Sequence, residues 1–329
     1  MTKIRSRDSR MIQDRRGSGG RGRGGGGLGD ILGGSGGRGG GGLGDVLGGA
    51  LGRGGGGRGG GGGGLKLGGG LMGILFLLAT LFLPKLLGGA MGTQGVGGSS
   101  AASEQTTGGD TETCSSELEQ ILCGATIDVQ EYWIDQFPAS FQGREYPVTQ
   151  TVFFSGFTST QCGQASAQTG PFYCPADELV YFDLDFLVQL QERFDATGDL
   201  AAQYIVAHEY GHHVQNALGL NAQMTRLQQE DRRNANVYSI ALELQADCLA
   251  GAWASDADAR GQFEAGEIAE ALNAAAAVGD DAIQQSTQGR VDPESWTHGS
   301  SEQRQRWFNV GYESGDPNRC DTFSDPFDL

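Results

Sequence analysis

Apolar residues recur at helical spacing along much of the second half of the chain. Between 115 and 142, Leu118, Ile121 and Leu122 are followed by Trp133, Ile134 and Phe137, which predicts a helix. PVTQTVFF (147–154) alternates and is rich in β-branched residues, so it predicts a strand. A loop runs from there to Cys174. LVYFDLDF (179–186) reads as a second strand, with helical character starting in Leu184 to Phe194. Residues 200–218 form one predicted helix and 222–256 one or two more, with Ile240, Leu244 and Cys248 on one stripe. Further helices are predicted over 264–280 and 300–312, the last opened by a capping box between Ser300 and Gln303. The class is α+β: mostly helical, with a small sheet placed before the helix at 200–218.

Upstream the pattern changes. Leu71 to Leu83 is apolar except for Thr80, and the uncharged stretch from Leu67 to Pro84 is 18 residues long. That is the short end for a membrane-spanning helix, and Lys85 can extend it by reaching to the interface. The expectation is one transmembrane helix at 67–90. Residues 91–113 are a Ser/Thr/Gly linker, and the folded domain starts near Cys114.

Residues 1–66 hold much of the glycine, with GLGDILGG at Gly27 echoed by GLGDVLGG at Gly42. Such a composition cannot bury enough apolar surface to fold by itself, so 1–66 is expected to be a disordered tether. Its charge is 12 Lys/Arg against 4 Asp/Glu, a net of +8, so the overall −17 leaves −25 on residues 67–329. Positive charge before the span predicts a cytoplasmic N-terminus and a domain outside. An RGG-like contact with RNA or anionic lipid is the sharper reading of the head. The acidic domain argues against nucleic acid as a partner. All six cysteines lie beyond the apolar run, which suits disulfides in an oxidising compartment. The expected pairs are Cys114–Cys123, Cys162–Cys174 and Cys248–Cys320, among the possible pairings of six.

The chemistry centres on YIVAHEYGHHVQNALG (204–219), which contains H-E-x-x-H. Residues four apart on a helix are rotated by about 40°, so His208 and His212 share a face and can chelate one Zn²⁺. Glu209 lies beside that face as a general base for water. His213 is rotated by about 140° from His208 and is set aside as a structural imidazole, near Glu209 at i+4. A catalytic zinc needs a third protein ligand and one open position. Downstream, Glu243 and Asp247 are four apart in ALELQADCLAGAW, and both would be buried unless something positive met them. Glu243, with the longer reach, is the candidate third ligand. Asp247 is the candidate acceptor for the other ring nitrogen of a ligand histidine.

HEYGHHVQ followed by LELQADCLAGAW resembles the neutral zinc metallopeptidase family of bacterial membrane-anchored proteins. The resemblance extends to GPFYCPADELVYFD (170–183), EALNAAAAVGDD (270–281), QGRV (288–291) and THGSSEQRQRWF (297–308), covering about 110–329 but not the glycine-rich head. It implies a zincin-like fold, a peptidase activity on peptide or protein substrates, and a glutamate third ligand at Glu243 with Asp247 behind it. An oxyanion donor is also needed; His298 is one candidate, Tyr210 and Tyr312 are others. By analogy with zincins, the strand at Leu179 to Phe182 would be an edge that aligns an extended peptide. The rival readings are a non-catalytic zinc-binding membrane module that holds protein partners, and an anchor whose function lies in the head.

Overall fold

The structure is a computed structural model and describes residues 11–16, 113–166, 169–188, 199–264 and 266–329. The predicted transmembrane helix at 67–90 and the linker up to Glu112 lie outside the described residues. Among those described, no helix is long and apolar enough to cross a membrane.

Helix α1 (Glu117–Ser140) starts where the Ser116 side chain accepts the Glu119 backbone N–H. Then come the strands β2 (Thr151–Phe154), β3 (Phe157–Thr160), β4 (Gly163–Ser166), β5 (Phe172–Cys174) and β6 (Leu179–Asp183). The helices α2 (Asp199–Leu218), α3 (Leu220–Glu230), α4 (Ala235–Ala259), α5 (Glu267–Ala277), α6 (Asp280–Gln288) and α7 (Ser301–Ser314) complete the domain. The fold is mixed α+β and mostly helical. The capping box at Ser300 and Gln303 is present.

Several boundaries differ from the sequence reading. The 147–154 segment is strand only from Thr151, because the Pro147 carbonyl and Thr149 N–H are taken by His213 and Gln130 side chains. The presumed loop up to Cys174 contains a hairpin, β3–β4, and the short strand β5. The predicted helix at 264–280 is α5, and a further helix not read from the sequence, α6, follows it after Gly279, where a Cβ would lie 2.4 Å from the Ser301 backbone nitrogen.

One difference concerns the head. Residues Ile12–Asp14 form a strand, β1, paired in parallel with β2, Ile12 opposite Thr151. The expectation that all of 1–66 is without structure is therefore corrected at 11–16. Ile12 is buried in the main core, and that burial is what a glycine-based reading overlooked. The sheet order is β1-β2-β6-β5, with β5 antiparallel and the other three parallel. So β6 is an interior strand, and the predicted edge at Leu179 to Phe182 is corrected: the sheet edge on that side is β5. All four β2 residues and Val180 to Asp183 are buried, as expected of strands covered on both faces.

The main core joins α1, the sheet, α2, α4 and α7. Helices α4 and α7 cross with backbones almost in contact. A Cβ on Gly251 would sit 2.0 Å from the Phe308 carbonyl oxygen, and one on Gly311 would sit 1.9 Å from that of Cys248. Helices α2 and α4 also approach closely: a Cβ on Gly211 would lie 3.1 Å from the Ala246 Cα. Gly211 and Ala246 thus set how near α4 comes to α2, and Gly251 and Gly311 how near α7 comes to α4. The three disulfides are the expected pairs, Cys114–Cys123, Cys162–Cys174 and Cys248–Cys320.

Candidate active site

Helix α2 is buried along most of its length, so its His208/His212 face looks into the domain rather than into solvent. Helix α4 delivers Glu243 to that face. His208 Nε2 lies 3.3 Å from Glu243 Oε2, and His212 Nε2 lies 3.7 Å from Glu243 Oε1. Donors around a tetrahedral zinc, with bonds of about 2.0–2.1 Å, stand roughly 3.4 Å apart. The spacing of these three side chains suits that geometry. Among the described residues they are the one cluster of His, Cys and acidic groups close enough to hold a metal ion.

Hydrogen bonding orients both rings the same way. His208 Nδ1 donates to Asp247 Oδ1 at 2.8 Å, and His212 Nδ1 donates to Gln215 Oε1 at 2.8 Å. Each Nε2 is thereby left as a lone-pair donor facing Glu243. His212 Nε2, Glu243 Oε2 and Glu209 Oε2 are buried and have no hydrogen-bond partner among the described residues. Three orphaned buried polar atoms, two of them in the His208–His212–Glu243 cluster, are costly unless a cation and a water meet them. The donor set therefore fits zinc.

Electrostatics point the same way. Burial would raise the Glu243 carboxyl, yet the His212, His208 and His298 rings hold it well below the usual range. Burial would lower His208, but the Asp247 and Glu243 carboxylates push it up to about 9. A pocket that stabilises positive charge this strongly is suited to a cation. Glu209 differs: burial raises its carboxyl and the two histidines only partly offset this. The backbone of Tyr173, on edge strand β5, also offsets part of the rise. A raised pKa makes the carboxylate a better proton acceptor.

Asp247 sits where it was expected, behind His208, but it has a partner that sequence reasoning missed. Arg304, on α7, is buried and pairs with both Asp247 oxygens, while Tyr204 donates to Asp247 Oδ1 at 2.6 Å. Burial opposes the Asp247 charge; Arg304 and His208 overcome it and hold the carboxyl at about 2. Gln215 was also missed, although it stands three residues after His212 and is on the same helix face. It is fixed in turn through Leu242 O and Gln245.

His298 is near enough to bias Glu243. Its Nδ1 lies 3.2 Å from Asp280 Oδ1, and Asp280 Oδ2 accepts the backbone N–H groups of Thr297, His298 and Gly299. Asp280 was not singled out from sequence; the Asp-Asp pair at the start of α6 was its only trace. The other oxyanion candidates are corrected. Tyr210 OH is bonded to Thr151 Oγ1 under the sheet at 2.9 Å, and Tyr312 OH donates to Asp258 on the outer side. His213 directs its hydrogen bonds to groups other than Glu209. It donates Nε2–H to the Pro147 carbonyl and accepts from Tyr173 OH, and burial lowers its pKa. It is a neutral brace between α2 and the strand region.

A profile of the family described as "Putative neutral zinc metallopeptidase" matches residues 40–323. The chain belongs to this family. The match starts inside the glycine-rich region, earlier than the 110–329 expected. The "Uncharacterized protein YpfJ" of Escherichia coli (strain K12) is 40% identical over 269 residues, covering 80% of this chain and 90% of that protein. An uncharacterized protein of Mycobacterium tuberculosis (strain H37Rv) is 52% identical over 182 residues, covering 52% of this chain and 61% of its own length. No solved structure matches. In this member of the family the His208–His212–Glu243 cluster is a candidate site for a metal ion.

Proposed function

We propose that the chain is a zinc-dependent peptidase acting on peptide or protein substrates in an oxidising compartment. The observation that carries this reading is the buried, unpartnered Glu209 Oε2 beside the His208–His212–Glu243 donor set. A bound zinc would polarise the scissile carbonyl and make a nearby water more acidic. Glu209 then takes the water's proton and hands it to the leaving amine. His298, held by Asp280, donates a hydrogen bond to the carbonyl oxygen as negative charge grows there. Arg304 keeps Asp247 charged, and Asp247 keeps the His208 ring in register. Strand β5, the sheet edge near Glu209, walls the site on that side with Tyr173 and Cys174 buried.

The three disulfides support the oxidising compartment. What supports attachment to a membrane is the apolar run Leu71 to Leu83. The alternative, a zinc module that holds partners without cleaving, gives Glu209 nothing to do: a buried acid with an open oxygen is a cost unless it moves protons. The deciding experiment compares purified full-length wild type with Glu209→Gln. The variant is expected to keep one zinc per chain and to cleave a mixed peptide library about 10²–10⁴-fold more slowly. Equal cleavage by the two proteins would rule out this base.

A further inference from the structure

Strand β1 is the one described part of the chain that lies before the apolar run, and it is built into the domain that follows the run. Its attachment is detailed. Ile12, Gln13 and Asp14 register with Thr151, Val152 and Phe153, and the Arg15 backbone N–H continues the ladder to the Phe153 carbonyl at 2.8 Å. The Gln13 amide donates to the Gln150 side-chain oxygen. Arg15 lies over the Tyr181 ring, 5.6 Å from its centroid. Arg16 Nη1 reaches Glu119 Oε1 on α1 at 2.5 Å, and its Nε bonds both Asp14 oxygens at 3.0 Å.

The receiving surface is shaped for this occupant. Without β1, strand β2 would be an exposed sheet edge although all four of its side chains are buried, a known aggregation hazard. Glu119 is 5% exposed, and Arg16 is the cation that meets it. With β1 in place the edge becomes a short strand with Gln13 and Asp14, followed at once by Arg15 and Arg16, which is how sheets protect their edges.

We infer that Met11–Arg16 is a standing strand of the metallopeptidase domain, supplied in cis, and that the N-terminus and the domain therefore lie on the same side of any membrane. Residues 17–112 are 96 in number and, at about 3.3 Å each when extended, are ample to join the two ends. A single crossing between Arg16 and Thr113 would part β1 from β2. The sequence-based orientation, N-terminus inside and domain outside, is thus incompatible with a formed β1–β2 ladder. Any membrane attachment through 67–90 must return to the side it entered. This inference does not rest on the zinc chemistry.

The test uses the full-length chain in cell membranes, with Gln13→Cys and Gln150→Cys together and a specific protease site inserted in the 93–113 linker. After cleavage, the two fragments are expected to stay joined on a non-reducing gel in the double variant and to separate in either single variant. Fragments that separate in the double variant, or a cross-link found only between two copies, would overturn the proposal. An independent measurement uses epitope tags before Met1 and after Leu329 in unmodified chain. Antibody applied to intact spheroplasts is expected to reach both tags or neither. Access to one tag alone would overturn it.

Discussion

Arg304 and Asp247 form a buried two-bond ion pair, Nε to Oδ2 and Nη2 to Oδ1, each at 2.8 Å. The pair joins α7 to α4 directly behind His208. Lysine cannot reproduce the two-pronged geometry. Arg304→Lys is therefore expected to weaken zinc binding by about 10–100-fold, as loss of a group that orients a ligand does. Chelator competition on the folded protein measures it. Arg304→Met leaves Asp247 buried without its cation and is expected to cost about 3–5 kcal/mol in denaturant unfolding. Wild-type zinc affinity in both variants would remove Arg304 from the positioning chain.

His298 and Asp280 make a different prediction. If His298 stabilises the developing oxyanion, it does so only during reaction. His298→Phe should lower kcat by about 10²–10³-fold while zinc content stays at the wild-type level. Asp280→Asn keeps the shape of the carboxylate but weakens its hold on the ring and on the 297–299 backbone, so a smaller loss in the same direction is expected. A loss of zinc in His298→Phe would instead place this ring among the ligands.

What could be read from sequence followed local spacing. His208, Glu209 and His212 lie within one helical turn, and Glu243 and Asp247 lie within another, so helical angle alone paired them. Arg304, Asp280 and the β1 strand had no such local signal. Arg304 meets Asp247 across 57 positions, and Asp280 meets His298 across 18. The IQD segment has too few apolar residues to stand out from its glycine surroundings, and only the waiting edge of β2 makes it a strand. The same holds for β5, three residues long, which is a strand because β6 pairs with it. Leu179 to Phe182 reads as an edge only by analogy with zincins, because a strand's own sequence says nothing about which neighbours it has.

The α4–α7 crossing predicts a large packing effect. Alanine at Gly251 or Gly311 would place a methyl group about 2 Å from a backbone carbonyl of the facing helix. Neither neighbour is a flexible side chain that can swing away, so the helices must separate. Each variant is expected to lose about 4 kcal/mol or more, at the severe end for single substitutions. Gly124, inside α1, has nothing within 4 Å of its would-be Cβ. Gly124→Ala should gain about 0.5–1 kcal/mol from helix propensity. Denaturant midpoints of the three proteins check both signs at once.

The Cys248–Cys320 bridge spans 72 residues and touches the site indirectly. Cys320 O accepts Gln245 Nε2 at 2.7 Å, Gln245 meets Gln215, and Gln215 holds His212. Loop entropy for a bridge of that span is worth about 4 kcal/mol. Replacing both cysteines with alanine should therefore lower stability and also loosen zinc, whereas Cys162→Ala with Cys174→Ala should leave the Gln245 chain in place. Zinc affinity measured well below the unfolding temperature separates the two effects. Equal zinc affinity in both double variants would show that the Gln245 relay does not matter.

Asp128 gives a pH prediction away from the site. Its carboxylate on α1 accepts Trp253 Nε1, two Arg260 nitrogens and Gln262 Nε2, all at 2.7–2.8 Å. Burial would raise its pKa; the bonds from Arg260, Gln262 and Trp253 more than reverse this and leave it lowered. A carboxyl whose folded pKa lies below its unfolded value of about 3.9 stabilises the fold above that pH. The contribution is then lost as pH falls through the depressed folded value. Asp128→Asn should be less stable than wild type by about 1–3 kcal/mol at pH 7, and the gap should be flat down to about pH 5. Below about pH 4 the gap should close, because protonated aspartic acid has lost the charge that Arg260 meets. Urea unfolding of both proteins with chelator present, so that zinc release does not intrude, follows the difference. A gap that closes above pH 5, or one that is unchanged at pH 2, would show that Asp128 is not held as a charged partner of Arg260.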